Sequence, residues 1–541
     1  MRNVKIGALI IAVIAGSSSA FAAINDPVRL RDGLVSGVPG NENGVRVFKG
    51  IPFAAPPVGD LRWREPQPVA AWDGVRKADS FSIICTQMPP LKGSWFQLEF
   101  NREPQPTGED CLYLNVWTAA QSSDERRPVM VWLHGGGFVT GSGSEPSHSG
   151  AGLAQKGAVV VTLNYRLGVF GLFAHPELSK ESGHNVSGNY TLMDQIAALK
   201  WVKSNIAAFG GDPEKITLFG QSAGSDCIPL LLTSPLAAGL FQRAMGESGF
   251  GGGFYGPGDA ESLRYIEAPS LDEAEQRGVE LGKRTGAATL AALRSIPTDT
   301  LLKATSVRLW PIAGPSDSIN QRFRPIVDGY VVPEDIDAAY REGKQMKIPV
   351  LIGSTDNERE NFPHPTTLQD YLRWTRQQFP DAFDEVLRVF PANTDAEAAQ
   401  AFLVRQRDIM AGPEMRRWAE FNSRSGVNTW LFYFTRKPPA RAGEMPLGAV
   451  HTADIVYFRN TLDTVNRPWT LQDRKLADVM SSYLVNFAAT GNPNGSGLPN
   501  WPVYKTGDIM ELGDHVGPIS APDVRELDWF DEYVARKRAR R

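Results

Sequence analysis

The sequence predicts an α/β protein with a doubly wound, mostly parallel central sheet. Short, continuous apolar runs at 129–133, 158–163 and 348–352 have the length of strands that are buried on both faces. Segments of helix length separate such runs, and the one at 192–209 carries apolar residues along one side. Alternating strands and helices are typical of a sheet covered by helices on both faces, with ligands bound beyond the carboxyl ends of the strands.

The regions outside this alternation are predicted to elaborate the sheet. Residues 24–80 are rich in Gly and Pro and contain short strand-like pieces, which predicts an N-terminal β meander. The pattern loosens into helical fragments and turns at 249–325 and again at 360–425, and we expect helical insertions over the active site there. No linker or internal repeat interrupts the chain, so a single domain over 23–541 is expected.

The first residues have the pattern of a cleaved secretory signal. Two basic residues precede an apolar run at 6–16, and the small residues at 17–23 contain the Ala-x-Ala pattern of a signal peptidase site. A membrane anchor is the alternative, but the run is shorter than the ~20 residues that cross a bilayer. We therefore expect a signal peptide at 1–22, a secreted or periplasmic location and no stable membrane insertion.

Composition excludes several partners and cofactors. The 541 residues carry a net charge of -4, with 42% hydrophobic and 21% charged residues, which gives no electrostatic case for binding nucleic acid. Cys85 and Cys111 lie in one loop-rich region and could form a disulfide in an oxidising compartment, whereas Cys227 is expected to be a buried thiol. Three widely spaced cysteines are too few for a zinc framework. Neither metal nor cofactor is expected.

One segment, KITLFGQSAG at 215–224, has the pattern of a buried strand that runs into a tight turn exposing Ser222. At such a turn a side chain two residues before or after the serine collides with neighbouring backbone, which gives Gly220 and Gly224 a steric role. The motif alone is a weak signal. A nucleophile elbow also requires a donor loop upstream and, further downstream, an acid and a histidine in that order.

A donor loop is predicted directly after the strand at 129–133. The segment His134-Gly-Gly-Gly-Phe138 contains three successive glycines, which let the backbone approach a substrate and aim N–H groups at a developing oxyanion. Gly136 and Gly137, with the N–H of Ala223, would form a three-donor hole. A phosphate-binding loop is the alternative, but no Lys-Ser or Lys-Thr follows and the GxGxxG spacing is absent.

The base and the acid follow late strands. Of the seven histidines, His451 lies shortly after the strand pattern at 429–434 and downstream of every other candidate, which favours it as the base. Asp356 and Glu358 both follow the strand at 348–352, and either carboxylate could orient an imidazole. Spacing alone does not choose between these two acids.

Together these motifs resemble the type-B carboxylesterase family, the carboxylesterase and cholinesterase group of the α/β-hydrolase fold. The likeness covers nearly the whole mature chain. Besides the elbow, the matching segments are EDCLYLN at 109–115, NYRLG at 164–168, FGGDP at 209–213, NPNG at 492–495 and LPNWP at 498–502.

The resemblance implies a role for each candidate residue. It implies Ser222 as nucleophile, His451 as general base, Glu358 as triad acid and a disulfide between two of the cysteines. The implied oxyanion donors are Gly136, Gly137 and Ala223, and the implied disulfide partners are Cys85 and Cys111.

Four residues bear on how closely this chain follows the family pattern. Many relatives carry Glu where Gln221 stands, so a carboxylate beside the nucleophile is missing here. Asp454 stands where the longer Glu is common, and Arg359 replaces a usual glycine after the acid. Ser248 matches a second active-site serine of the family, expected to form hydrogen bonds rather than to act as a nucleophile.

The expected function is hydrolysis of small-molecule carboxylic esters through an acyl-enzyme. A lipase would share every catalytic residue and would differ by activation at a lipid interface, whereas a non-catalytic adhesion protein on this fold usually lacks the nucleophile or the base. Arginines at 322, 324, 416 and 417 could bind a carboxylated substrate, although surface arginines are the more ordinary interpretation. The sequence predicts neither the physiological ester nor the oligomeric state.

Overall fold

A computed structural model describes residues 24, 26–40, 44–90, 92–100, 103–249, 269–305, 323–358, 365–409, 411–505, 507–520 and 525–539. The predicted signal peptide at 1–22 and the position of Arg359 lie outside these residues.

The described strands are mostly short, and those that form the centre of the molecule have five to eleven residues. They are β1 (Val28–Arg29), β2 (Leu34–Ser36), β3 (Val38–Pro39), β4 (Arg46–Pro52), β5 (Val75–Lys77), β6 (Ile84–Cys85), β7 (Thr107–Gly108), β8 (Tyr113–Thr118), β9 (Arg127–Leu133), β10 (Val159–Leu163), β11 (Gly211–Gln221), β12 (Arg243–Glu247), β13 (Val350–Thr355), β14 (Thr429–Phe434), β15 (Asp508–Leu512) and β16 (Val516–Ser520).

Among the described residues, eleven strands form one sheet in the order β16-β15-β14-β13-β12-β11-β9-β10-β8-β4-β3. Neighbours from β15 to β10 are parallel, and the antiparallel pairs lie at the two edges. Strands β1, β2 and β5 form a small separate sheet, and β6 pairs with β7. The predicted α/β class with a mostly parallel sheet is therefore confirmed.

Helices lie between and around these strands. They are α1 (Trp95–Glu99), α2 (Ala151–Gln155), α3 (Gly168–Leu172), α4 (Pro176–Glu181), α5 (Tyr190–Asn205), α6 (Ala223–Thr233), α7 (Leu271–Thr285), α8 (Leu290–Arg294), α9 (Thr298–Thr305), α10 (Ile336–Arg341), α11 (Leu368–Gln378), α12 (Phe383–Val389), α13 (Asp395–Ile409), α14 (Ala411–Arg424), α15 (Ile455–Phe458), α16 (Leu471–Thr490) and α17 (Arg525–Ala539).

Local capping sets the ends of the longest helix. At the start of α16 the Thr470 side chain accepts from the Asp473 N–H, and the Asp473 carboxylate accepts from the Thr470 N–H, which satisfies two backbone donors that the helix leaves open. The helix stops at Gly491, whose φ of 81° is readily adopted only without a side chain. A cap of this kind contributes about 1 kcal/mol.

Alternation along the central strands explains the continuous apolar runs. In β9, Val129, Val131 and Leu133 pack into one hydrophobic cluster, whereas Met130 and Trp132 pack into a second cluster. Helices α5 and α6 contribute side chains to the first cluster, and α15 and α16 contribute to the second. Because both faces of the sheet are covered, every residue of the strand interior is apolar rather than every second one.

The topology brings the ends of parallel neighbours to one edge of the sheet. The chain leaves β9, β11, β12, β13 and β14 at this edge, since these strands are adjacent and parallel. The helices of the two predicted insertions are α7 to α9 and α11 to α14. Within the described part of the chain, no helix combines the length and the hydropathy of a membrane span.

Candidate active site

The turn after β11 holds Ser222 in a conformation that few residues adopt. Its φ and ψ are 54° and -126°, between the strand and the first residue of α6. Two backbone hydrogen bonds fix this geometry: the Ser222 N–H donates to the Glu247 carbonyl at 2.9 Å, and the Asp226 N–H donates to the Ser222 carbonyl at 2.9 Å. A strained residue of this kind costs on the order of 1–3 kcal/mol, which the surrounding hydrogen bonds and packing must offset.

Both glycines of the motif are required by close backbone approaches. A Cβ on Gly224 would lie 2.1 Å from the Leu133 carbonyl oxygen, and one on Gly220 would lie 2.7 Å from the Gly224 carbonyl carbon. Any other residue at either position would displace β9 or the start of α6. The steric role assigned to these glycines from the sequence therefore has a physical basis in the fold.

The glycine loop after β9 packs directly on this turn. A Cβ on Gly135 would lie 3.0 Å from Cβ of Ser222 and 2.9 Å from the Gln221 carbonyl oxygen. Gly136 and Gly137 have φ values of 108° and 61°, and a Cβ on Gly136 would lie 2.1 Å from the Thr140 carbonyl oxygen. The structure thus brings the loop to the serine in a backbone conformation that glycine permits.

The backbone N–H of Ala223 belongs to the first turn of α6. Ala223 is the first residue of that helix and is 2% exposed. N–H groups in the first turn of a helix have no acceptor within the helix, so they are available to a ligand and lie at the positive end of the helix dipole. The start of α6 therefore offers a backbone donor directly after Ser222.

His451 and Glu358 form a buried pair at this edge of the sheet. The imidazole is 3% exposed and the carboxylate 1% exposed, and Nδ1 of His451 donates to Oε2 of Glu358 at 2.6 Å. The second carboxylate oxygen accepts from the Thr355 N–H at 2.8 Å. Because an ionised carboxylate can only accept a hydrogen bond, this contact assigns the proton of a neutral imidazole to Nδ1.

Backbone contacts hold the two segments of that pair together. Asn357 and Val450 form an isolated parallel β-bridge, and the Asn357 N–H donates to the Ala449 carbonyl at 2.9 Å. Asp356, the other acid that the sequence offered, accepts a hydrogen bond from the Tyr433 hydroxyl. Of the two candidate acids, Glu358 is therefore the one that the structure places at Nδ1 of the imidazole.

Gln221 and Ser248 occupy different positions around this pair. The amide nitrogen of Gln221 lies 3.0 Å from Nε2 of His451, which brings the residue before Ser222 onto the imidazole. Ser248 follows β12, is fully buried with a φ of 47°, and its N–H donates to the Gly353 carbonyl at 2.8 Å. Among the described residues its hydroxyl has no hydrogen-bond partner.

Sequence reasoning missed two members of a buried charged cluster near Glu358. The cluster consists of Glu247, Asp454 and Arg459, all fully buried. Arg459 lies over the rings of Trp132 and Phe219, at 4.6 and 5.2 Å from their centroids. A carboxylate at the end of a buried strand and an arginine at the end of the otherwise apolar segment 455–459 were the available signals, and neither resembles a catalytic motif.

Burial dominates the protonation of this cluster. It raises the pKa of Asp454 to about 8, with the nearby Glu358 carboxylate adding to the effect. It likewise raises the pKa of Glu247 well above its ordinary value, an effect that Asp454 increases and Arg459 opposes. Burial also lowers the pKa of Arg459 to about 9, against the influence of Glu247.

The cysteines and the arginines have structural partners. Cys85 and Cys111 form a disulfide, as the resemblance implied, and Cys227 is a buried free thiol whose pKa is raised by burial. Arg416 pairs with Glu420 and Asp528, and Arg417 pairs with Asp337. Those two arginines therefore stabilise helix contacts, whereas position 322 lies outside the described residues. In the described ranges no three His, Cys, Asp or Glu side chains form a group that could hold a metal ion.

This fold and the chemistry at its edge define a class, the hydrolases built on a mostly parallel sheet with a serine at a strand-to-helix turn. The sequence model of the carboxylesterase family matches residues 25–521. The chain therefore belongs to the carboxylesterase family, and it is a carboxylic ester hydrolase of the serine hydrolase type.

Relatives match over most of both chains. The fumonisin B1 esterase of Sphingopyxis macrogoltabida is 40% identical over 512 residues, covering 92% of this chain and 88% of the relative. The para-nitrobenzyl esterase of Bacillus subtilis (strain 168) is 35% identical over 480 residues, covering 86% and 90%. Liver carboxylesterase 1 of Oryctolagus cuniculus is 30% identical over 529 residues, covering 92% and 90%.

Proposed function

We propose that this chain hydrolyses small-molecule carboxylic esters through a triad of Ser222, His451 and Glu358. The observation that carries the proposal is the His451–Glu358 pair: with Nδ1–H donated to the carboxylate at 2.6 Å, Nε2 is the ring nitrogen that would take the serine proton. The neighbouring residue Gln221 touches the same ring, so the Ser222 turn and the imidazole meet at one place.

In the first half of the reaction, Oγ of Ser222 bonds to the ester carbonyl carbon and its proton passes to Nε2 of His451. The carbonyl oxygen becomes an oxyanion that accepts hydrogen bonds from the N–H groups of Gly136, Gly137 and Ala223. The C–O bond to the alcohol then breaks, and the imidazolium gives its proton to the departing oxygen. The acyl group remains on Ser222.

In the second half, water replaces the alcohol. His451 takes a proton from water as the water oxygen bonds to the acyl carbon, and the same donors stabilise the second oxyanion. The bond between the acyl carbon and Oγ then breaks, Oγ regains the proton from His451 and the carboxylic acid leaves. Glu358 stays ionised throughout and stabilises the imidazolium that forms twice in each cycle.

Replacement of the nucleophile tests the triad. We expect Ser222→Ala to lower kcat on a short p-nitrophenyl ester by at least about 10⁴-fold, because no other group supplies a covalent intermediate. The matched control is Ser204→Ala, the same substitution at an exposed position on α5, which should retain wild-type turnover. Wild-type turnover by a folded Ser222→Ala variant would refute the assignment.

The names of two relatives suggest which esters to test first as substrates. Two bacterial relatives are named for fumonisin B1 and para-nitrobenzyl esters, so both ester types belong in the first panel, beside p-nitrophenyl esters of increasing acyl length. A lipase would show a rise in rate above the solubility limit of a long-chain ester. A rate that follows dissolved substrate through that limit would reject the lipase alternative.

We further propose that the chain is exported, with the signal peptide at 1–22 removed and residues 23–541 folding as one domain. The disulfide between Cys85 and Cys111 supports this, because such bonds persist in oxidising compartments. Mass spectrometry of protein recovered from the periplasm or medium should give an N-terminus at Ala23. Recovery of the intact chain from the cytoplasm, with both cysteines reduced, would contradict export.

A further inference from the structure

The side-chain amide of Gln221 lies against the imidazole of His451. Its Nε2 is 3.0 Å from Nε2 and 3.5 Å from Nδ1 of the ring. Gln221 is 1% exposed and His451 3% exposed, so water has little access to the contact. Gln221 directly precedes Ser222, and the end of β11 therefore supplies both a hydroxyl and an amide to the same site.

The two distances place the amide nitrogen over the face of the ring. A donor on the line of the Nε2 lone pair would lie further from Nδ1 than from Nε2 by nearly the distance between the two ring nitrogens. The observed distances to Nδ1 and Nε2, 3.5 Å and 3.0 Å, differ by only 0.5 Å. A position beside both nitrogens in the ring plane would collide with ring carbon. The amide therefore packs on the ring and does not lie on the line of the Nε2 lone pair.

The two ends of the Gln221 amide face different neighbours. A Cβ on Gly135 would lie 2.8 Å from Oε1 of Gln221, so the amide oxygen is against the loop after β9. The amide nitrogen is on the opposite side, against His451. Gln221 thus presents N–H groups, the positive end of the amide dipole, to the imidazole face.

One charged group contacts the ring directly, and three more lie next to one another beyond it: Asp454 near Glu358, Glu247 near Asp454, and Arg459 near Glu247. Glu358 comes from the loop after β13, Asp454 from the segment that carries His451, Glu247 from the end of β12 and Arg459 from the end of α15. The Glu358 carboxylate favours positive charge on the imidazole, whereas burial raises the pKa of Asp454 and Glu247, so these two groups keep their protons in acid solution and add no charge. A carboxylate on the ring face would favour positive charge on the imidazole further, whereas a neutral amide that presents N–H groups opposes it.

We propose that Gln221 is a positioning residue that sets the acid limit of ester hydrolysis. Its amide holds the His451 ring in the plane that Ser222 requires, and it keeps the ring deprotonated at a lower pH than a carboxylate in the same place would. The inference rests on the proposed triad. The neutral side chain of Gln221 then sets the pH range over which His451 can act as the base.

The test is the pH profile of kcat/KM for two variants of similar side-chain size. Gln221→Glu puts a negative charge on the ring face and should move the acid limb to higher pH by about 1–3 pH units. Gln221→Met removes the amide without adding a charge, and its acid limb should lie between those of the wild type and Gln221→Glu. A merely structural role would lower activity in both variants without this order.

Gln67→Glu is the matched control, because it adds the same charge at an exposed residue and should leave the acid limb in place. An acid limb of Gln221→Glu that coincides with the wild type overturns the inference. If circular dichroism shows that Gln221→Glu does not fold, the Met variant decides: an acid limb at or below the wild-type position also overturns it.

Fluorophosphonate inactivation separates failure of this inference from failure of the triad. The rate of adduct formation is measured over the same pH range for wild type and variants, with the modified serine located by mass spectrometry. Absence of an adduct on Ser222 in the wild type would refute the triad itself. An adduct on Ser222 with one shared pH profile for all proteins would refute only the role of Gln221.

Discussion

Asp454 has a fully buried carboxyl group that lies near the Glu358 carboxylate. Burial and the Glu358 carboxylate raise its pKa from the ordinary 3.8 to about 8. Between these two pH values the unfolded chain has lost the proton and the folded chain still holds it. Stability therefore falls as the pH rises from about 4 to about 8, and the loss is complete above that range.

Asp454→Asn removes this titration while keeping the shape of the side chain. We expect the variant to gain stability relative to the wild type as the pH rises, by at least about 1.4 kcal/mol between pH 5 and pH 8.5, the equivalent of a tenfold change in proton affinity. Urea unfolding at the two pH values measures the difference. Asp508→Asn, at the exposed start of β15, is the control.

If the stability difference between Asp454→Asn and the wild type is the same at both pH values, Asp454 is ionised in the folded protein. A variant that loses stability at high pH would contradict the sign of the effect. Either result would also change the charge balance assigned to the surroundings of His451.

Single residues show where sequence reasoning succeeded and where it stopped. The residues alone left Asp356 and Glu358 as equal candidates, because both follow β13 and spacing does not encode which side chain points at an imidazole. Asp356 accepts a hydrogen bond from the Tyr433 hydroxyl, and no local sequence pattern predicts a partner 77 positions away. Glu247 and Arg459 were missed for the same reason.

A network of ion pairs connects α1 to the loop that precedes His451. Glu99 accepts from Arg441 at 2.9 Å and from Arg467 at 2.6 Å, and Glu444 pairs with the same two arginines at 3.0 Å. Both Glu99 and Arg467 have side chains only 5% exposed. The loop between β14 and His451 is therefore held by paired charges that water screens little.

Glu99→Gln should destabilise the protein by about 3 kcal/mol, because it leaves buried guanidinium groups without one of their two counter-charges. We expect faster hydrogen exchange at 441–451 and a lower kcat, since the segment that positions the imidazole is less restrained. The comparison is Asp463→Asn, which breaks an exposed pair with Arg474 and should cost about 1 kcal/mol or less. Equal effects of the two variants would contradict the role given to the Glu99 network.

Element types were predictable to the extent that their cause is local. The apolar run at 158–163 gave β10 (Val159–Leu163) almost to the residue, since burial on both faces leaves a continuous signal. The helix predicted at 192–209 instead spans Tyr190–Asn205 and continues as a tighter 3₁₀ turn over Ile206–Phe209. The Glu99 network joins segments more than 340 positions apart, and no single-sequence pattern predicts it.

For the whole molecule, the order of the sheet decides where chemistry can occur. The glycine loop, Ser222, Glu358 and His451 follow β9, β11, β13 and β14, which lie in that sequence across the sheet with β12 between β11 and β13. The sequence predicted that these residues follow strands, and the general rule for parallel sheets predicted that they meet at one edge. Their contact distances depend on twist, loop length and the Asn357–Val450 bridge, which only the folded chain determines.

Every step of the proposed reaction depends on Ser222 as the nucleophile that His451 activates. The most direct measurement treats the folded wild-type protein and a His451→Ala variant with a fluorophosphonate and locates the adduct by mass spectrometry after digestion. We predict one adduct in the wild type, on Ser222, and a loss of labelling rate of several orders of magnitude in the variant. An adduct on another serine such as Ser248 would show that Ser222 is not the nucleophile. Equal labelling of both proteins would show that His451 does not activate it.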